Sequence, residues 1–259
     1  TMTSQAVAEG IVRAARAHEA APASGPSWLA GLARDLDGPR LGALGLIAIG
    51  IVTGFTRLRG TWFGRLALPL AVLAYLGFGA GALLSQAQAW GWAQAGVPRG
   101  AVVLLALAAA AVILPATTRK NVYCSHLCAH GAAQQLLLRV AKPKQSVPAW
   151  LRPWLAMLPW GLLVLAIITA LLHLPLNLVD LEPFDAYLPT VAGTAALVIF
   201  AVSLIASAFS PMAYCRYACP TGALLDHLRL NSRSDRFTWR DTLMLACLAA
   251  AILAHWWPR

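Results

Sequence analysis

The chain has 259 residues, 59% of them hydrophobic and 12% charged, with a mean hydropathy of +0.66 and a formal net charge of +10. Soluble domains carry about 25% charged residues, so this composition argues against an ordinary soluble globule and for an integral membrane protein. The positive balance does not call for nucleic acid, because the basic residues gather in short loops between apolar segments, as in the cytoplasmic loops of membrane proteins.

In chain order, residues 1–20 offer Thr3 or Ser4 as a helix cap before a thin apolar stripe of Val7, Ile11 and Val12. No signal-peptide pattern opens this stretch. Residues 21–40 contain two Gly-Pro steps and read as a linker with a short interfacial helix from Trp28 to Leu36. Six apolar segments come next, near 41–56, 66–84, 100–116, 154–173, 189–208 and 241–257. A bilayer core takes about 20 helical residues, so residues 41–259 are expected to form an all-α, six-transmembrane-helix bundle.

The loops orient that bundle. Arg57, Arg59 and Arg65 follow the first segment; Arg119, Lys120, Arg139, Lys142, Lys144 and Arg152 lie between the third and fourth; Arg216, Arg229, Arg233, Arg236 and Arg240 lie between the fifth and sixth. These are 14 of the 20 basic residues, and they mark the cytoplasmic side. Both termini then face outward, into the periplasm if the membrane is a bacterial inner membrane. Trp62, Trp150, Trp154 and Trp239 fall near the inner interface, and Trp90, Trp92, Trp256 and Trp257 near the outer one, as two aromatic belts.

The sequence also repeats. Tyr123 opens Y-C-S-H-L-C-A-H-G-A and Tyr214 opens Y-C-R-Y-A-C-P-T-G-A, 91 residues later. Tyr, Cys, Cys, Gly and Ala recur in register, the sign of a duplicated unit. Both C-x-x-x-C pairs follow odd-numbered segments and so belong to the cytoplasmic side. If the stretch is locally helical, the i, i+4 spacing sets both sulfurs of a pair on one side. An approximate two-fold axis through the repeat would join the pairs. Cys124, Cys128, Cys215 and Cys219 match the ligand set of a [4Fe–4S] cluster, and equally that of a structural zinc ion. The cluster is the preferred reading, since structural zinc serves small soluble folds that need its binding energy to fold. Four cysteines with no shared metal is the third.

Around the motifs, Arg119, Lys120 and Arg216 are expected to lower the thiol pKa values as well as to signal topology. Tyr123 and Tyr214 read as interface anchors, with hydrogen bonding to sulfur as the alternative. His126 and His130 read as interfacial, hydrogen-bonded histidines, the alternatives being a ligand or a proton carrier. His173 and His255 would hold a haem only if they shared one depth and faced each other. Asp180, Glu182 and Asp185 read as a solvated loop, with a quinol proton acceptor or a docking patch as alternatives. Cys247 reads as a small buried hydrophobe.

These features together resemble the NosR-type membrane flavoproteins, which include accessory proteins of nitrous oxide reduction and of reductive dehalogenation; NapH-type membrane ferredoxins are more distant relatives. Cys215, Cys219 and Pro220 match the second of that family's two C-x3-C-P motifs, and Cys124 and Cys128 match the first, with Ala129 in place of proline. Thr1 matches the threonine that carries FMN in the family's external flavin domain. Met2, Thr3, Ser4, Ala6 and Val7 fit the family pattern on the C-terminal side of that threonine, while the S-G-A half of the signature is not in the sequence. The resemblance implies that residues 1–20 are the C-terminal remnant of an FMN-binding domain. It further implies electron transfer between a cytoplasmic-side [4Fe–4S] cluster and a periplasmic FMN, in the service of a periplasmic reductase or its maturation. Membrane lipid and redox partner proteins or respiratory-complex subunits are the implied partners. About 30 Å of hydrocarbon would separate the two centres, so a further carrier such as quinone is implied. Two rival readings are a quinol-oxidising subunit of a respiratory complex and a zinc-stabilised assembly protein without redox chemistry.

Overall fold

The apolar runs become helices in the computed structural model, which describes residues 37–86, 88, 92, 101–141, 147–171, 182–188, 192–231 and 242. In chain order these are α1 (Gly38–Phe55), α2 (Phe63–Gly79), α3 (Val102–Thr118), α4 (Ala129–Ala141), α5 (Arg152–Leu171), α6 (Thr194–Phe209) and α7 (Pro220–Asn231). Among the described residues every regular element is helical, as the sequence leads one to expect. Five of the six apolar segments thus have a described helix, with ends a few residues from those expected. The sixth, 241–257, lies outside the described residues apart from Thr242. So do Thr1 and the rest of 1–20, most of the linker, Asp180, His173, His255 and Cys247.

Of these helices, α1 alone is both long and apolar enough to cross a bilayer; α2, α3, the Arg152–Leu165 part of α5, and α6 are apolar but shorter. Contacts divide the chain near Gly38, and all the helix packing described belongs to the second unit, 39–259. The helices share an apolar core that includes Ile47, Leu68, Leu76, Leu107 and Leu127, bury several polar residues beside it, and turn other large apolar residues outward. Ile49 and Val52 on α1, Val112 and Ile113 on α3, and Val202 and Ile205 on α6 are exposed, whereas Thr53, Ser203 and Ser207 are buried. Trp62, Trp150 and Trp154 are exposed as well.

α4 and α7 are the elements that sequence pattern alone does not separate from the loops. Each follows one cysteine motif and packs on the apolar helix that precedes the other motif: α4 on α6, and α7 on α3. The repeats therefore clasp each other. α4 and α6 run in the same direction, since His130 meets Ser203 and, one turn on, Gln134 meets Ser207.

The turns that lead into α4 and α7 fold back into the helix layer. Arg119 caps α3 in the left-handed conformation (φ 58°), and Met212 (φ 55°) reverses the chain after α6. The segment after Arg119 then lies along α1 and α2. Leu127 sits where a Cβ of Gly50 would be, Val122 packs on Gly54, and Ala129 lies 2.9 Å from the position of a Gly77 Cβ. From the opposite direction come 82–86 and 182–188, stitched together by the Gln86 N–H donating to the Glu182 carboxylate at 3.0 and 3.2 Å.

Candidate metal centre

The first cysteine of each motif lies in a short helical turn, Tyr123–Leu127 or Ala213–Tyr217. The second stands at the start of the next helix, which breaks the single-helix geometry that the spacing suggests. Cys128 is extended (φ −76°, ψ 120°), and α4 starts at the following residue. Its sulfur accepts from the backbone N–H groups of His130 and Gly131, and the Cys219 sulfur accepts from the Gly222 N–H at 3.2 Å. Both are N-cap bonds made by sulfur, and the helix N-terminus favours negative charge there. Pro220 occupies the first helical position of α7, where its missing N–H costs nothing. Ala129 fills the same position in α4 without disturbing the cap.

All four cysteines line one cavity, together with Tyr123, His130, Phe184 and Tyr214. Each sulfur has a donor. Besides the N-cap bonds, the Tyr123 hydroxyl donates to Cys128, Asn121 donates to Cys124, and the Gln134 Nε2–H donates to Cys215 at 3.3 Å. Thiolates accept such bonds better than thiols do. The Tyr214 hydroxyl is buried with no partner of its own, a donor left for a group that belongs in the cavity. Among the described residues no three Cys, His, Asp or Glu side chains converge on one ion position. A tetrahedral zinc site would need sulfurs about 4 Å apart at Zn–S distances of about 2.3 Å; a four-iron cluster spreads its ligands more widely. Four cysteines on one cavity, each with a hydrogen-bond donor, are the ligand set that a [4Fe–4S] cluster takes.

The electrostatics differ from expectation. Burial pushes the Cys124 thiol up to about 12, with Cys128 adding to the effect, and raises Cys128, Cys215 and Cys219 as well. The neighbouring cations do not lower these values because they point elsewhere. Lys120 lies 4.9 Å over the Phe55 ring, Arg216 sits 5.6 Å from the Tyr217 ring centre, and Arg119 is exposed at the end of α3. Without a bound cation the thiols stay neutral, and only a metal centre would hold them as thiolates.

The tyrosines and His130 are also more deeply placed than expected. Tyr123 is buried, and its hydroxyl accepts from the Leu84 N–H at 3.0 Å; it is a structural link to sulfur and not an interface anchor. His130 is fully buried, not interfacial. Ser203 donates to the Phe200 carbonyl at 2.7 Å, so the His130 Nε2–H must donate to Ser203 (3.1 Å), and Nδ1 accepts from Tyr187 (3.1 Å). Burial lowers its pKa to about 4 and keeps it neutral. His126 bonds Ser125 Oγ at 2.7 Å. Glu182 is buried rather than solvated, and burial raises its pKa to about 8.

Asn121, Gln134, Ser203, Ser207, Phe184 and Tyr187 are site residues that the sequence pattern did not single out. Ser203 and Ser207 did leave a signal: polar residues one turn apart in an apolar run face the bundle interior. Phe184 and Tyr187 left none, since they come from the loop assigned to the opposite face.

On the far side of Cys124, Cys215 and Cys219 lies a second, open cavity of about 510 Å³, walled by Trp160, Arg216, Tyr217 and Asp226 among others. Comparison with known proteins gives one finding. A family model described as a 4Fe–4S binding domain matches residues 101–148 and 192–235. No curated protein and no solved structure matches. The two matched segments each enclose one cysteine pair, and the match supports an iron–sulfur protein.

Proposed function

We propose that the chain is a membrane electron-transfer protein whose single [4Fe–4S] cluster is held by Cys124, Cys128, Cys215 and Cys219. The observation that carries this reading is the shared cavity: two clasped repeats bring four cysteines, two buried and two half-buried, each with a hydrogen-bond donor, to one place. When bound, the cluster supplies one-electron redox chemistry. The protein's part is to hold the thiolates, exclude water and surround them with oriented donors.

The membrane setting is supported by the outward-facing apolar side chains of α1, α3 and α6, which lipid would cover. With the basic loops inside, the open cavity beside Arg216 faces the cytoplasm, and 82–86 and 182–188 face outward. Ser203 is nine residues into α6, about 14 Å along its axis. A cluster at that depth is nearer the outer face than one on the cytoplasmic surface, so the gap to an external acceptor falls to roughly half of the full hydrocarbon span. The open cavity would admit a redox partner on one side of the cluster, and Phe184 and Tyr187 would lie on the side toward an external one.

The acceptor in this proposal is an FMN carried on Thr1, as in the NosR-type proteins that the motifs resemble, in the service of a periplasmic reductase or its maturation. The test is in-gel fluorescence of the denatured natural gene product. A fluorescent band that Thr1→Val abolishes is expected; a band that survives the substitution, or none at all in the parent protein, removes FMN at Thr1 from the account.

A further inference from the structure

The two halves of the site are not equal. In the repeat register, Asn121 corresponds to Met212 and Gln134 to Leu225. Asn121 gives Cys124 its amide donor. Met212 has no donor to give Cys215, and that role passes to Gln134 from the other repeat, whose Nε2–H lies 3.3 Å from the Cys215 sulfur. Gln134 is fully buried. Its Oε1 accepts from the Ser207 hydroxyl at 2.9 Å, and that hydroxyl also lies 2.8 Å from the Ser203 carbonyl. The amide is thereby fixed with its NH2 group toward sulfur. Ser203 and Ser207 correspond to Val112 and Ala116 in the first repeat, so nothing equivalent supports Leu225, which is buried among apolar neighbours.

We propose that Gln134, oriented by Ser207, is a positioning residue that sets the cluster's reduction potential through Cys215. A hydrogen bond to a ligand sulfur stabilises the more electron-rich reduced state and raises the potential. One cross-repeat amide thus compensates for the donor that the second motif lacks, and it comes from the repeat that does not supply Cys215. This rests on the proposed four-cysteine cluster.

The experiment is a redox titration of the purified, cluster-loaded full chain, followed by electron paramagnetic resonance, with iron counted in each sample. Gln134→Leu is expected to shift the midpoint to a more negative value, and Ser207→Ala, which loosens the amide without removing it, to shift it the same way by less. Leu225→Met, on the apolar side, is expected to leave it in place. Wild-type iron content with an unshifted midpoint in both Gln134→Leu and Ser207→Ala overturns the proposal and leaves the cluster standing. No iron in the parent protein overturns the cluster reading itself. If Gln134→Leu fails to retain iron, the Ser207→Ala midpoint decides: a negative shift supports the proposal and no shift overturns it.

Discussion

At the scale of single residues, the cysteines have unequal neighbours but one fate. Each sulfur is buried or half-buried and has at least one donor, and in the proposed cluster loss of any one would leave an iron without a thiolate. Each single Cys→Ser change is therefore expected to lower iron content severely, measured as iron per chain after purification without oxygen; full iron retention in any of the four would exclude that cysteine. Glu182 makes a different prediction. Its carboxyl is held protonated up to about pH 8 in the fold but ionises near pH 4 once unfolded. The folded state binds the extra proton between those values, so its stability falls as pH rises through that window and levels off above it. Glu182→Gln keeps an acceptor for the Gln86 N–H and removes the titration. Thermal unfolding in detergent should show the variant more stable than the parent above about pH 8, by on the order of a few kcal/mol at most, with the difference vanishing toward about pH 4. An equal pH dependence in the two proteins would contradict this origin.

At the scale of elements, the repeat was legible in the sequence and its consequence was not. The recurrence of Tyr, Cys, Cys, Gly and Ala at 123–132 and 214–223 marked both halves of the site, and apolar runs marked α1, α2, α3, α5 and α6. Nothing in those runs said that the chain turns back after Arg119 and Met212, because αL residues there are not glycines and carry no sequence signature. The donors to sulfur were likewise hidden, since Gln134 and Ser207 reach the site only through the cross-packing of α4 on α6. The shared glycines have a steric role that can be tested. A Cβ on Gly131 would lie 2.7 Å from the Cys124 carbonyl oxygen, which is backbone and cannot move alone; on Gly222 it would lie 3.3 Å from the Cys219 sulfur. Gly131→Ala is expected to reduce cluster occupancy severely, at a cost of about 1–3 kcal/mol in packing strain, and Gly222→Ala to do so less. Equal occupancy in the two variants, read from visible absorption per chain, would show that the Cys124 backbone is not the constraint.

At the scale of the molecule, an apolar exterior surrounds a polar seam. Thr53, His130, Gln134, Glu182, Ser203 and Ser207 are buried beside an apolar core that includes Leu68, Leu76 and Leu107, while Val52, Val112, Val198, Val202 and Ile205 face out. In the proposed membrane setting lipid would cover the outward apolar side chains, and the chain should then partition into detergent and stay there. Transfer to detergent-free buffer is expected to aggregate it, as followed by light scattering; a monodisperse detergent-free monomer would contradict the membrane reading. The expected opposition of a cytoplasmic cysteine face and an outer acidic loop also changes at this scale. Both reach the same cavity, because the cysteine turns enter the bundle from one side and 182–188 closes it from the other.

What the four cysteines hold decides whether this is a redox protein at all. Iron, acid-labile sulfide and zinc should be counted in one sample of the chain purified without oxygen. About four irons and about four sulfides per chain, with no zinc, are predicted for a single [4Fe–4S] cluster. One zinc per chain with neither iron nor sulfide would contradict it.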